Sequence, residues 1–272
     1  MITYASLARL RERAGIPAGD AEADARLLIA LRHATAQIER FTARRFAPVV
    51  QTRHYEFQNT YTLRLDIDLL ALLGLVNTDG QAFDPARVRL LPDGDGPYAA
   101  LALPGDLTFT PAADPGDAIL VTGIWGTHDR WSEAWRDSGD ALAGAVDAVT
   151  AILAVADVTG PDAHGISPRF EPGQLIRIAD EYLHITAVDA MAGTLTVLRG
   201  VRGTTAASHA AGATIDVYSP PEDVQALCLR WAAWLYAQVD AGIGGGADWL
   251  YPADLPDDLR RLAAPLRYLR VA

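Results

Sequence analysis

The sequence predicts an α+β fold: a helical and β-meander domain carrying an inserted small β-barrel or sandwich. Three observations predict it. Apolar residues recur at helical spacing near both ends of the chain, over 20–46 and again over 222–236. Between them, from Val50 to Ile124, the period falls to two and turn signals separate short runs. A second set of short strand candidates with its own turns then fills 140–219. Neither 1–139 nor 220–272 has enough alternating apolar pattern to close a core alone. The two are therefore read as one discontinuous domain, with 140–219 spliced between them.

Thr3 or Ser6 can cap a first helix running to about Ala14, stopped by Gly15 and Pro17. Asp20 caps a longer second helix. Its Leu27, Leu31, Ala34, Ile38 and Phe41 form one apolar stripe, and it ends near Arg44-Arg45-Phe46 before Pro48. A half-buried strand follows over 50–57, and Tyr61–Asp66 is expected to pair back on it through Gln58-Asn-Thr60. Further strands are predicted at Val88–Leu91, Tyr98–Leu103, Leu107–Thr110 and Ala118–Ile124. Gly139–Ala145, small and flexible, reads as a linker. The insert then offers strands at Val146–Val155, Gln174–Ile178, Glu181–Val188, Thr194–Leu198 and Thr214–Tyr218. Val224, Leu227, Cys228, Trp231, Trp234 and Leu235 mark one face of a late helix, broken at Gly242-Ile-Gly-Gly-Gly246. A last arginine-rich helix, interrupted by Pro265, is expected within Leu255–Leu269.

Half of the 272 residues are apolar, enough for a real core and too many for global disorder. No run of eighteen apolar residues is long enough to span a bilayer, and Met1-Ile-Thr-Tyr-Ala-Ser lacks the regions of a signal peptide, so synthesis in the cytoplasm is expected and no membrane partner. The single cysteine, Cys228, excludes an internal disulfide and a cysteine-only zinc cluster. The net charge is −11 and every basic side chain other than histidine is arginine. An acidic surface repels phosphate, which argues against tight binding of nucleic acid but not against a protein that lets DNA pass.

No catalytic pattern emerges, and no cofactor or metal is expected. Asp93-Gly-Asp-Gly96 has the look of a calcium loop but lacks the later bidentate glutamate, and Asp-Gly pairs are ordinary hairpin turns. Gly242–Gly246 follows a helix rather than a strand, so it is a joint and not a phosphate loop. Arg199-Gly-Val-Arg-Gly-Thr-Thr-Ala206 could cradle an anion or simply be a wide turn; the turn is the simpler reading. None of the six histidines pairs at helical spacing, although His184 and His209 could approach within the insert. Cys228, on an apolar face with Trp231, reads as packing. Pairs such as Asp66/Asp68 and Asp257/Asp258 read as solvated or capping carboxylates. Trp131, Trp135 and Trp249 lie in polar or glycine-rich surroundings, where an aromatic serves either an interface or the edge of a core.

In combination, several of these pieces resemble the head–tail adaptor, or head-completion connector, proteins of long-tailed bacteriophages. They are the helix Ala25–Phe46 ending Arg44-Arg-Phe-Ala-Pro48, the strand Thr52-Arg-His-Tyr-Glu-Phe57, Leu90-Leu-Pro…Pro97-Tyr98, Val121-Thr-Gly-Ile-Trp-Gly126, and the late helix Glu222–Tyr236. The likeness covers roughly two thirds of the chain by order of elements. The usual pattern runs almost directly from the Val-Thr-Gly-x-Trp-Gly strand to the late helix, so 140–219 departs from it. The segment is similar to small β-domains of other phage structural proteins.

The resemblance implies a non-enzymatic subunit of a ring, typically a dodecamer, at the virion neck and assembled in the host bacterial cytoplasm. Its partners would be other copies of itself, the portal protein and a tail-side neck or terminator protein, with genomic DNA passing through without specific binding. It also implies that the terminal helix meets the portal, which places Arg260, Arg261, Leu266, Arg267, Tyr268 and Arg270 at an interface beside Trp131, Trp135 and Trp249. Two other classes remain open at this point: a ligand- or glycan-binding β-module of a tail or baseplate structural protein, and a hydrolase with dispersed catalytic residues.

Overall fold

In the computed structural model, residues 1–114, 118–240 and 255–268 are described. They build two antiparallel sheets and four α-helices, a mixed α+β architecture. Helix α1 (Leu7–Ala14) begins where the Ser6 side chain accepts the Arg9 N–H at 3.2 Å and ends at Gly15 in the left-handed region. Helix α2 (Ala21–Thr42) is capped by the Asp20 carboxylate on the Ala23 N–H at 2.9 Å. Its predicted stripe is buried from Leu27 to Ile38, with Phe41 half-buried at the end.

The first sheet contains β1 (Val49–Tyr55), β2 (Thr62–Val76), β3 (Ala82–Phe83), β4 (Arg89–Leu91), β5 (Tyr98–Ala102) and β6 (Ile119–Trp125). Its order is β1-β6-β2-β5-β4, with β3 on the end of β2. The expected hairpin between β1 and β2 does not form. β6 lies between them, pairing Val49 with Trp125 on one side and Leu75 with Val121 on the other. Alternation identified the strands correctly, but partner choice went to the more apolar β6, whose Ile119, Val121 and Trp125 are fully buried. β2 runs ten residues beyond the predicted Asp66, absorbing its continuous apolar run through irregularities at 69–71 and 72–74. Gly123 is required where β6 meets β2: a Cβ there would stand 2.5 Å from Leu69 Cδ1 and 2.7 Å from the Ala71 carbonyl oxygen. Leu107–Thr110 is not a strand. Phe109 is buried and its N–H reaches the Thr60 carbonyl from irregular chain.

The second sheet has the order β7-β12-β9-β10-β11-β8, from β7 (Trp135–Ala141), β8 (Ile152–Ala154), β9 (Leu175–Ile178), β10 (Glu181–Asp189), β11 (Thr194–Leu198) and β12 (Thr214–Tyr218). An isolated bridge joins Leu142 to Val155, just beyond the two outer strands. The apolar side chains of this sheet form their own core around Leu153, Ile176, Leu183, Ile185, Leu195 and Val217. The presumed linker from Gly139 is half wrong: Trp135–Ala141 is the strand β7, interrupted by Gly139 at φ 68°.

Helix α3 (Glu222–Asp240) packs on α2 and α1, and α4 (Asp257–Ala263) packs on α3 and α2. Contacts divide the chain into two compact units, Arg45–Glu133 and Met1–Arg44 with Ala134–Ala272. That division is not the expected one of 1–139 plus 220–272 against 140–219. The helices from both chain ends group with the second sheet, tied to it by the Thr3 N–H on the Gly173 carbonyl at 2.9 Å and the Ala8 N–H on Glu171 at 2.7 Å. The continuous unit bracketed by the rest of the chain is Arg45–Glu133.

Candidate functional site

The predicted interface residues fall in different surroundings. Trp131 opens a 3-10 turn in the unit Arg45–Glu133, its ring edge-on to His128 at 6.5 Å. Trp135 starts β7 and is part of a cluster: Tyr182 at 5.0 Å, Tyr218 at 5.3 Å, and the Arg177 guanidinium 4.7 Å above its ring. Arg177 is held in place by Asp216 at 2.6 Å. Burial pushes the Tyr182 phenol up to about 12 and Tyr218 higher still, so both stay neutral. Trp135 is thus a packed residue of the second sheet. Its partners were hidden from sequence reasoning because they lie more than forty positions away.

On α4, Arg260 and Arg261 are exposed while Leu259 and Ala263 are buried. Leu266 is half-buried. Arg267 stacks over Phe41 at 5.5 Å, Arg44 stacks over Tyr268 at 5.5 Å, and the Tyr268 N–H reaches the Thr42 carbonyl at 2.8 Å. These two residues therefore anchor the terminal segment to the end of α2. Trp249 and Arg270, like the Gly242–Gly246 joint, lie outside the described residues.

The candidate loops resolve into turns. Asp93 pairs with Arg89 at 2.5 Å, and Asp95 accepts both the N–H and the hydroxyl of Ser132, so neither carboxylate is arranged around a cation. Ser132 and His128 do not form a nucleophile–base pair: the Ser132 hydroxyl donates to Asp95 at 2.7 Å, and His128 Nδ1 accepts the Arg130 N–H at 3.1 Å. The Arg199–Ala206 turn is organised from within. Glu181, almost fully buried, receives two bonds from Arg199 at 2.7 Å, the Gly200 and Ala207 N–H groups, and His209 at 2.8 Å. Burial alone would push this carboxyl up; Arg199, the Ala207 N–H, His209 and the Gly200 N–H together hold it down at about 2. Arg199 also donates to the carbonyls of Asp147, Thr150 and Ala207, so it has no capacity left for an external anion.

His184 does not join His209. Burial, with the N-terminal ammonium and Arg32 nearby, lowers it to about 4. Cys228 is buried beside Thr35 Oγ1 at 3.6 Å, its thiol pushed up to about 11 by burial, as a packing residue requires. Asp66 is not merely solvated: it accepts from Arg53 at 2.8 Å and from the Tyr55 hydroxyl at 2.6 Å.

A polar cavity of about 60 Å³ lies between the N-terminal segment, α1, the loop before β9 and the start of α3. Arg9, Arg136, Glu171, Gln174, Tyr218 and Gln225 line it. Glu171 is buried and caps α1 from 163 residues away, accepting the Ala8 and Leu7 N–H groups and the Ser6 hydroxyl; burial nevertheless pushes its carboxyl upward. Arg136 is ion-paired with the fully buried carboxylate of Asp162. The loop 156–170 that supplies Asp162 is further fixed by Arg169, which bonds Asp157 at 3.2 Å and the Gly139 carbonyl at 3.0 Å.

Among the described residues, no cluster of three or more His, Cys, Asp or Glu side chains is placed to hold a metal ion, and no helix is long and apolar enough to cross a membrane. Comparison with protein families, with curated proteins and with solved structures found no match.

Proposed function

We propose that the chain is a structural head–tail connector subunit of a phage or phage-like particle, joining a portal to a tail as part of the ring through which DNA passes. The reading rests on the order of elements named above. The observation that supports it most is the pairing of α2 with α3. The two helices that carry the resemblance stand at opposite ends of the chain, and they pack on each other. Thr35 meets Cys228 at 3.6 Å and Phe41 meets Trp231 edge-on at 6.5 Å between ring centres. The Val121-Thr-Gly-Ile-Trp-Gly126 segment supplies the interior strand β6, with Gly123 at its tightest approach.

The finer reading of the second sheet is a small barrel, closed where Leu142 and Ala143 reach Val155 and Ala154. The exposed Arg260 and Arg261 of α4 form the candidate portal contact. A closed ring needs a heterologous contact, so a purified subunit should associate weakly alone and assemble on the portal. Co-sedimentation with the portal protein tests this; a tight two-fold dimer indifferent to portal would count against it. The cavity of about 60 Å³ beside α1 is far below the roughly 300–1,000 Å³ of ordinary small-molecule sites, so that cavity lends no support to a glycan-binding module.

A further inference from the structure

We propose that the cavity beside α1 is a carboxylate-binding site, with Arg9 as its recognition residue and Gln174 as a second donor. The argument begins with the donors and acceptors that line it. Among the described residues, the Arg9 guanidinium has no hydrogen-bond or ion-pair partner, and it is exposed at the cavity. Gln174 uses its oxygen to accept the Glu171 N–H at 2.8 Å, and its NH₂ group has no acceptor among those residues. Gln225 donates through its nitrogen to Ser219 at 3.1 Å and to the Pro220 carbonyl at 2.6 Å. Unused capacity is therefore mostly donor capacity, concentrated on Arg9 with its five N–H groups, and a ligand that only accepts is the complement.

The charges at the cavity narrow the choice. Arg9 and Arg136 sit close enough to repel each other. The acids near them are already committed: Asp162 to Arg136, and Glu171 to Ser6 and the first N–H groups of α1. With Arg136 neutralised by Asp162 and Glu171 taken up at the start of α1, Arg9 is the cation left to face a ligand, a match for a monoanion and short of a dianion such as phosphate. A monoanion that faces Arg9 and keeps its apolar end toward Ile166 and Pro168 fits both the balance and the volume of about 60 Å³. That volume admits a carboxylate on one or two carbons and nothing as large as a sugar or nucleotide. The ligand is either a small free carboxylate or an aspartate or glutamate side chain presented by another chain.

The test is an amide correlation NMR titration at pH 7 and constant ionic strength. Sodium acetate, the capped peptide Ac-Gly-Asp-Gly-NH₂ and its Asn counterpart are titrated separately, with sodium chloride as the baseline. Saturable shifts confined to Thr3–Ser6, Gln174 and Ser219–Gln225 are expected from acetate, from the Asp peptide or from both. Saturation by acetate assigns the site to free carboxylates, and saturation by the Asp peptide alone assigns it to a protein side chain. Arg9→Gln should weaken binding by at least about tenfold, the scale of one charge-assisted pair, while Arg13→Gln on the same helix should not. Both positions are exposed, so both variants should fold, which the unchanged remainder of the spectrum verifies. Shifts no different from those of chloride, equal binding of the Asn peptide, or full affinity in Arg9→Gln would overturn the proposal.

Discussion

The two sheets are held in opposite ways. In the unit Arg45–Glu133 the ion pairs lie outside the core: Arg87–Asp106, Arg89–Asp93 and Arg53–Asp66 all leave the carboxylate at least half exposed. Its apolar core cluster runs from Leu63 and Leu69 through Phe109 to Trp125, and its buried polar groups, Asp68 with Thr127 and Asn77 with Thr108 and Thr110, are held by hydrogen bonds. The second sheet has an apolar interior too, but its loops are fixed by buried charge: Arg199–Glu181, Arg136–Asp162 and Arg169–Asp140, with each carboxylate side chain no more than 5% exposed. Exposed pairs contribute little, whereas a buried pair ties specific loop geometry to specific residues and is costly to break from one side. These pairs therefore set a unit whose buried polar contacts are hydrogen bonds such as Asp68–Thr127 against one whose loops are clamped by buried ion pairs.

The largest effect that could break this comparison is loss of the Glu181 clamp. Glu181→Ala leaves Arg199 buried without its anion and strips the acceptor from two backbone N–H groups, so unfolding free energy should drop by about 3–5 kcal/mol in a denaturant titration. A change below about 1 kcal/mol would mean that the clamp is ornamental.

Next comes pH. Glu181 is held at about 2 against an ordinary 4.5, so its contribution is full above pH 4.5 and lost as pH falls toward 2. His184 is buried as the neutral base, at about 4 against 6.5, so the unfolded chain binds the proton first and stability falls as pH drops from 6.5 to 4. Stability measured from pH 7 to 2 should decline in both windows. His184→Gln should flatten the upper one and leave the lower intact.

Smaller again is Gly123→Ala, which tests the packed unit. The added methyl meets the Leu69 side chain and the Ala71 carbonyl, and should cost about 1–3 kcal/mol. The smallest is Arg89→Gln, where an exposed pair is lost and the denaturation midpoint should be indistinguishable from that of the unaltered protein.

Much of the fold is legible in the sequence because local rules govern it. Asp20 caps the helix it is expected to cap, Ser6 is the one of the two candidates, Thr3 and Ser6, that caps α1, and Thr194–Leu198 and Thr214–Tyr218 are strands at their predicted limits. What was not legible is the long-range pairing. Alternation in Val49–Tyr55 marks a strand but cannot say that β6, some seventy residues on, outcompetes the adjacent β2. Gly139–Ala145 reads as a linker because the partner of Trp135–Ala141, β12, is the last strand of the segment, more than seventy residues on. The Arg199–Ala206 segment is legible as a turn, yet its organiser, Glu181, sits eighteen positions upstream with no local signature. The cavity at Arg9 draws residues from 2 to 225 and left no motif at all.

The central claim is the connector role, and electron microscopy of the subunit mixed with its portal tests it most directly. The account predicts a closed ring on the portal, of twelve copies if the resemblance extends to stoichiometry, with an open axial channel and with the α4 face carrying Arg260 and Arg261 against the portal. Particles in which the portal stays bare while the subunit remains monomeric or forms an isolated two-fold dimer would contradict it.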